Sequence, residues 1–174
     1  MSDLKDYLKA QQVTVDSALD SFLPKARMRP STIHEAMRYS IFAGGKRLRP
    51  ILALAAADAC GGDEQAALPS ACAVEIMHTY SLVHDDLPSM DDDDLRRGRP
   101  TSHKVYGEGM AVLTGDALLT EAFTVIAETP PTKRYSLKDI LLEFSTCGGS
   151  KKLIGGQVLD LEGCLLYTSP SPRD

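Results

Sequence analysis

An all-α fold is what this sequence predicts, and three observations predict it. Apolar residues recur at helical spacing through most of the chain. Helix-stopping pairs fall where those stretches end, at Gly44-Gly45, Gly61-Gly62 and Pro130-Pro131. No stretch alternates apolar and polar residues in the manner of a half-buried strand. Taken in order, Leu4, Tyr7, Leu8, Val15, Leu19 and Phe22 form one face of a first helix, and PKARMRP (24–30) reads as a linker. In STIHEAMRYSIFAGG (31–45), Thr32 and Glu35 have the spacing of a capping box, and Gly44-Gly45 ends the helix. Pro50 suits the first turn of the next helix, whose apolar run reaches Gly61-Gly62. A long helix covers about 70–87. MAVLTGDALLTEAFTVIAET (110–129) is another, and Ser136 with Asp139 caps a further one. GGQVLDLEG (155–163) carries the last recognisable pattern before CLLYTSPSPRD (164–174), a Ser/Pro-rich tail that breaks it.

The chain has 174 residues, one domain's worth, with 43% hydrophobic and 25% charged residues, enough to bury a core. The net charge of −5 argues against a general nucleic-acid binder, which needs a basic face. It suits a protein that recruits divalent cations. Cys60, Cys72, Cys147 and Cys164 form no C-x-x-C pair and no zinc cluster, so reduced and mostly buried thiols are expected. The first twenty residues lack a signal-type apolar core. The longest clean apolar run, Ile51–Ala57, is far short of the about 20 residues that span a bilayer. The expectation is a cytoplasmic, soluble protein without stable membrane insertion.

The chemistry concentrates in VHDDLPSMDDDDLRRGRPTSH (83–103), which places six aspartates between Asp85 and Asp94 and follows them with Arg96, Arg97 and Arg99. Carboxylates are hard ligands and suit Mg²⁺ or Ca²⁺. An EF-hand loop started at Asp91 would need Gly at its sixth position and Glu at its twelfth, and finds Arg96 and Ser102. Magnesium asks for one or two carboxylates, waters and a phosphate. Asp85 and Asp91 would diverge on an undisturbed helix, but Pro88 ends or kinks it near Leu87 and a distorted turn can bring Asp91 back. The alternative is a solvated acidic run, and some of Asp91–Asp94 must only face water.

A second charged stretch, GGKRLRP (44–50), resembles a phosphate-binding turn with Lys46, Arg47 and Arg49. It is not a Walker loop, because Lys46 is followed by Arg47 and the first required glycine position holds Ser40. A helix C-cap with basic residues explains the glycines and one cation, but not three. His78 lies seven residues before Asp85, on the same helix face; it is either a satisfied core histidine or a donor to an anion. Arg96 and Arg97 offer planar forks to phosphate oxygens, or neutralise their acidic neighbours. Together the residues describe two anion sites, one bridged by metal and one direct.

GGKRLRP, HTYSLVHDDLPSMDDDDLRRGRPTSH and GGQVLDL, in combination, resemble the trans-polyprenyl diphosphate synthases, close to bacterial farnesyl and geranylgeranyl diphosphate synthases, over about residues 1–163. The resemblance implies an isoprenoid synthase-type helical bundle around a central cavity, a homodimer when full length, and Mg²⁺ as cofactor. It implies that Lys46, Arg49, His78 and Arg97 hold isopentenyl diphosphate. It implies that Asp85 and Asp91 bind Mg²⁺ that grips an allylic diphosphate, with Asp86 in or next to that shell. Arg96 and Gln157 are implied contacts of the allylic diphosphate, with Asp160 lining the same cavity. The implied chemistry ionises the allylic C–O bond, lets the isopentenyl double bond attack and loses a proton; no side chain is a covalent nucleophile. Tyr80, five residues before Asp85, looks like a stop for a C15 product, where a smaller residue would permit C20, although an ordinary core aromatic explains it equally.

The family's second aspartate-rich motif does not follow Asp94. Residues 1–163 are therefore expected to be the N-terminal portion of a synthase domain, and 164–174 not to be native family sequence. Two rivals are a class I terpene cyclase, which needs no site like GGKRLRP with His78, and a non-catalytic synthase subunit, in which a degraded acidic motif is expected. The 174-residue chain is predicted to be poorly soluble and inactive, since half a cavity exposes apolar helix faces. Turnover of isopentenyl and allylic diphosphates by the purified chain with Mg²⁺ would overturn that expectation, and sequencing the locus beyond Gly163 checks for a second aspartate cluster.

Overall fold

The structure is a computed structural model that describes residues 4–166. The helices are α1 (Leu4–Phe22), α2 (Ser31–Ile41), α3 (Leu48–Ala59), α4 (Glu64–Asp85), α5 (Ser102–Tyr106), α6 (Glu108–Ile126), α7 (Leu137–Gly148) and α8 (Leu153–Leu166). Between α4 and α5 lie β1 (Leu95–Arg96) and β2 (Arg99–Pro100). The chain divides into two compact units, residues 1–130 and 131–174.

In the first unit α4 is the central element, packed against α6, α3, α1 and α2. It can be central because its apolar residues are not confined to one stripe: Ala71, Cys72, Ala73, Ile76, Met77, Tyr80 and Val83 are all buried. Small residues at the α4–α6 seam let the two helices approach. Gly115 of α6 sits against the His84 ring, where a Cβ would collide with it. Leu118, Ala122 and Val125 of α6, Val15 and Leu19 of α1, and Leu54 of α3 complete the core. Among the described residues α6 is the helix long and apolar enough to cross a membrane, and it is packed against α4, α2 and α5, as a core helix is.

Several local expectations are corrected. The Thr32–Glu35 capping box does not form: Pro30 is the N-cap of α2 without a side-chain cap, so Thr32 already lies inside the first turn. That helix also ends at Ile41, before the glycines, with the Phe42 N–H on the Arg38 carbonyl. α4 starts at Glu64, not near Ser70, because the Asp63 side chain caps it through the Gln65 N–H at 2.9 Å. Pro69 lies within that helix, past the first turn where proline is usually found, and so disguises the start. The thiols are not mostly buried, since Cys72 is buried and Cys60 and Cys147 are exposed; the Cys164 side chain lies outside the described residues. Burial pushes the Cys72 thiol up to about 12, which keeps it protonated and inert.

The all-α expectation also missed a small antiparallel hairpin, Leu95 opposite Pro100 and Arg96 opposite Arg99. Its two-residue loop is Arg97-Gly98, with φ of 54° and 76°, the positive angles of a type I′ turn. The second unit contains α7 and α8, and here the expected capping box is present: the Ser136 hydroxyl accepts from the Asp139 N–H and the Asp139 carboxylate accepts from the Ser136 N–H. Residues 167–174, most of the expected foreign tail, lie outside the described residues.

The packing predicts a contrast within α6. Leu118→Ala, at a fully buried position, is expected to cost about 2–5 kcal/mol. Leu113→Ala, 56% exposed, is expected to stay within about 0.5 kcal/mol of the parent. Urea unfolding followed by circular dichroism checks both.

Candidate functional site

After α2 the chain passes through Gly44 and Gly45, at φ of 91° and 147°, and Arg47, at 49°, before α3 begins. A Cβ at Gly45 would fall on the Arg97 guanidinium, so glycine is required there twice, for its backbone angle and for the close approach. Arg97 Nη1 donates to the Gly44 carbonyl, and Gln12 Nε2 donates to the Gly45 carbonyl at 3.0 Å. The turn is thus held from α1 on one side and from the hairpin on the other.

The three cations of this turn do not act alike. Lys46 and Arg49 are exposed, whereas Arg47 is 4% exposed and directed inward. Its Nε donates to Asp16 Oδ1 at 2.8 Å, Nη1 to Glu75 Oε1 at 2.8 Å and Nη2 to the Ile41 carbonyl at 2.7 Å. Burial alone would weaken this charge, but the hydrogen bonds to Glu75 and Asp16 outweigh it and hold the guanidinium above its ordinary value.

Lys46, Arg49, His78 and Arg97 line one cleft of about 680 Å³, together with Arg47, Glu75 and Gln12. The four residues expected from the sequence to share an anion are therefore brought together from three separated stretches. Burial is the largest influence on His78, and with the nearby charge of Arg49, and lesser ones from Arg97 and Arg96, it overrides the opposing pull of Glu75 and pushes the imidazole down to about 4. At neutral pH His78 is an uncharged ring with one N–H to donate.

The acidic turn begins where α4 ends at Asp85. The chain folds back so that the Asp91 N–H donates to the Asp85 carbonyl at 2.9 Å, while the Met90 and Asp92 N–H groups both reach the Leu87 carbonyl. The return of Asp91 towards Asp85 is thus a backbone feature of this turn. Asp86 is placed differently. It is 4% exposed and accepts from Arg96 Nε at 2.7 and 3.0 Å, with Arg96 Nη2 at 2.6 Å. Of the three aspartates expected at the metal, Asp85 and Asp91 match the one or two carboxylates a magnesium ion takes, and hard oxygen donors on a tight turn fit that ion. Asp86 stands beside them, neutralised by Arg96.

Sequence reasoning gave no role to His103 or Lys104. Asp92, Asp94 and His103 offer ligand atoms within 4.8 Å of one another, the one such group among the described residues. Lys104 already pairs with Asp94 at 2.6 Å, and its hydrogen bond and charge hold the Asp94 carboxyl below the usual range. The His103 ring meets the Thr101 hydroxyl at 3.1 Å through Nδ1. Tyr80 is buried with its ring edge-on to His84, 5.8 Å between centroids. Gln157 and Asp160 lie on α8 in the second unit, the first half-buried and the second exposed.

Fold and site define a mostly helical protein in which a basic cleft adjoins an aspartate-rich turn. The family model described as polyprenyl synthetase matches residues 30–169, and the chain belongs to that family. It is 47% identical over 165 residues to a farnesyl diphosphate synthase of Geobacillus stearothermophilus, covering 92% of this chain and 54% of that one. It is 53% identical over 163 residues to a chloroplastic geranylgeranyl pyrophosphate synthase of Catharanthus roseus, covering 91% and 44%. Among solved structures, a geranyltransferase from Legionella pneumophila matches with a TM-score of 0.86 at 34% identity, over 97% of this chain and 59% of that one. An FPP/GFPP synthase from Zymomonas mobilis matches at 0.82 and 37%, over 99% and 61%. The chain spans about half the length of the curated relatives it matches.

The depressed imidazole has a measurable consequence. A histidine whose folded value lies below its unfolded one stabilises the fold fully above pH 6.5, and that contribution is lost as pH falls from 6.5 towards about 4. Histidine NMR is expected to find the His78 midpoint near 4, and His78→Asn is expected to flatten the stability profile between those two values.

Proposed function

We propose that this chain carries the isopentenyl diphosphate site and the first metal-binding turn of a prenyltransferase that joins isopentenyl diphosphate to an allylic diphosphate, giving farnesyl or geranylgeranyl diphosphate. The observation that carries this reading is the convergence of Lys46, Arg49, His78 and Arg97 on one cleft. Two or more fixed cations and a neutral imidazole N–H suit a diphosphate, whose several oxygens accept charge-assisted hydrogen bonds. Arg97 and Arg49 supply planar forks, and Lys46 a mobile point charge.

Asp85 and Asp91 are the residues that would hold Mg²⁺, which supplies charge neutralisation to a leaving diphosphate. Arg96, oriented by Asp86, is a cation at the same turn and fits a contact to the allylic diphosphate. That role for Gln157 rests on the resemblance alone. The chain's own contribution to the reaction is positional: the cleft fixes one diphosphate so that its hydrocarbon tail is presented at a defined distance and angle. Buried apolar side chains of α4, among them Val83 and Tyr80, support a dry surface beside the acidic turn. With Tyr80 buried five residues before Asp85, the reading favours the C15 product. The same reading takes the complete enzyme to be a homodimer in the cytoplasm.

The test is titration of the chain with isopentenyl diphosphate by calorimetry. Saturable binding without metal is expected, and Arg49→Ala is expected to weaken it about tenfold or more, the worth of a charge-assisted hydrogen bond. Absence of saturable binding, or an Arg49→Ala curve superimposable on the parent, would sink the reading.

A further inference from the structure

The sequence shows Lys46, Arg47 and Arg49 as neighbouring cations, yet the structure divides them. Arg47 also lines the cleft, but its Nε, Nη1 and Nη2 are committed to Asp16, Glu75 and the Ile41 carbonyl. Glu75 itself lines the cleft, one helical turn before His78. A carboxylate on the wall of a basic cleft opposes the binding of an anion unless its charge is cancelled from behind. The Glu75 side chain is 4% exposed and that of Arg47 3%, so water screens neither.

We propose that Arg47 is a positioning residue of the basic cleft. It cancels the charge of Glu75 and, through its three inward bonds, locks the left-handed turn that places Lys46 and Arg49 on the cleft wall. Three elements meet on this one side chain: α1 through Asp16, the end of α2 through Ile41, and α4 through Glu75. Arg47 has a φ of 49°, a conformation disfavoured for a long side chain, and those bonds are what hold it there. Neither lysine nor an apolar residue can replace it, because the site uses three nitrogens of a planar fork in three directions.

The inference rests on the diphosphate reading only for the identity of the ligand, and its test separates the two. The 174-residue chain, carried on a solubility-enhancing fusion, is compared with Arg47→Met, Glu75→Gln and the double variant. Inorganic pyrophosphate and isopentenyl diphosphate are the probes, and histidine NMR follows His78. His78 faces Arg49 from α3, Arg96 and Arg97 from the hairpin, and Glu75 on its own helix. Arg47→Met unmasks Glu75 and is expected to weaken pyrophosphate binding about tenfold and to move the His78 midpoint up by about one pH unit. The double variant is expected to restore most of the affinity and return His78 towards its parent value, which loss of structure alone does not do. Glu75→Gln keeps the question answerable if Arg47→Met does not fold: it is expected to tighten pyrophosphate binding and lower the His78 midpoint.

Pyrophosphate affinity and a His78 midpoint that are both unmoved in Arg47→Met, a double variant as weak as Arg47→Met, or Glu75→Gln weakening binding as much as Arg47→Met, would overturn the inference. Binding of pyrophosphate but not isopentenyl diphosphate would remove the substrate reading and leave Arg47's role standing. If neither ligand binds, the His78 shifts alone decide: movement in the expected directions supports the charge cancellation, and no movement refutes it.

Discussion

The burial of α4 on nearly every side is the constraint on which both sites depend. A helix surrounded by α1, α2, α3 and α6 cannot carry charged residues unless each finds a partner. Glu75 finds Arg47 and Asp86 finds Arg96. Each partner comes from a loop that is thereby pinned to the helix. The basic turn and the hairpin are held because α4 needs their arginines, and what they leave facing outward is Lys46, Arg49 and Arg97.

This gives the charges two layers. Arg47 is consumed by buried Glu75, Arg96 is held by Asp86 but keeps a side chain 30% exposed, and Lys46, Arg49 and Arg97 line the cleft. The same holds for the acidic run. Asp86 is internal, Asp94 is paired with Lys104, and Asp85 and Asp91 are joined through the backbone of the turn. A count of charges along the chain overstates what is available to a ligand, because the inner layer is structural.

Much of this was legible from the residues alone. The α1 face from Tyr7 to Phe22, though not Leu4, which is 68% exposed, the Ser136 cap of α7, the return of Asp91 to Asp85 and the grouping of Lys46, Arg49, His78 and Arg97 all follow from local spacing or from the combination of motifs. What could not be read has physical causes. Strands of two residues are too short for alternation to show, and the type I′ turn holds Arg-Gly, not the Asn-Gly that signals one. The start of α4 was hidden because Pro69 looks like a boundary while Asp63 supplies the cap six residues earlier. The inward direction of Arg47 depends on Asp16 and Glu75, 31 and 28 residues away, and no local pattern distinguishes it from its neighbours.

The hairpin turn gives the first unit a mechanical link. Arg96 grips Asp86 at the end of α4, and the next residue, Arg97, grips Gly44. The two anchoring side chains leave the backbone on either side of one planar peptide bond. The hairpin therefore ties the acidic turn to the basic turn through two consecutive residues, so that moving either turn pulls on the anchor of the other.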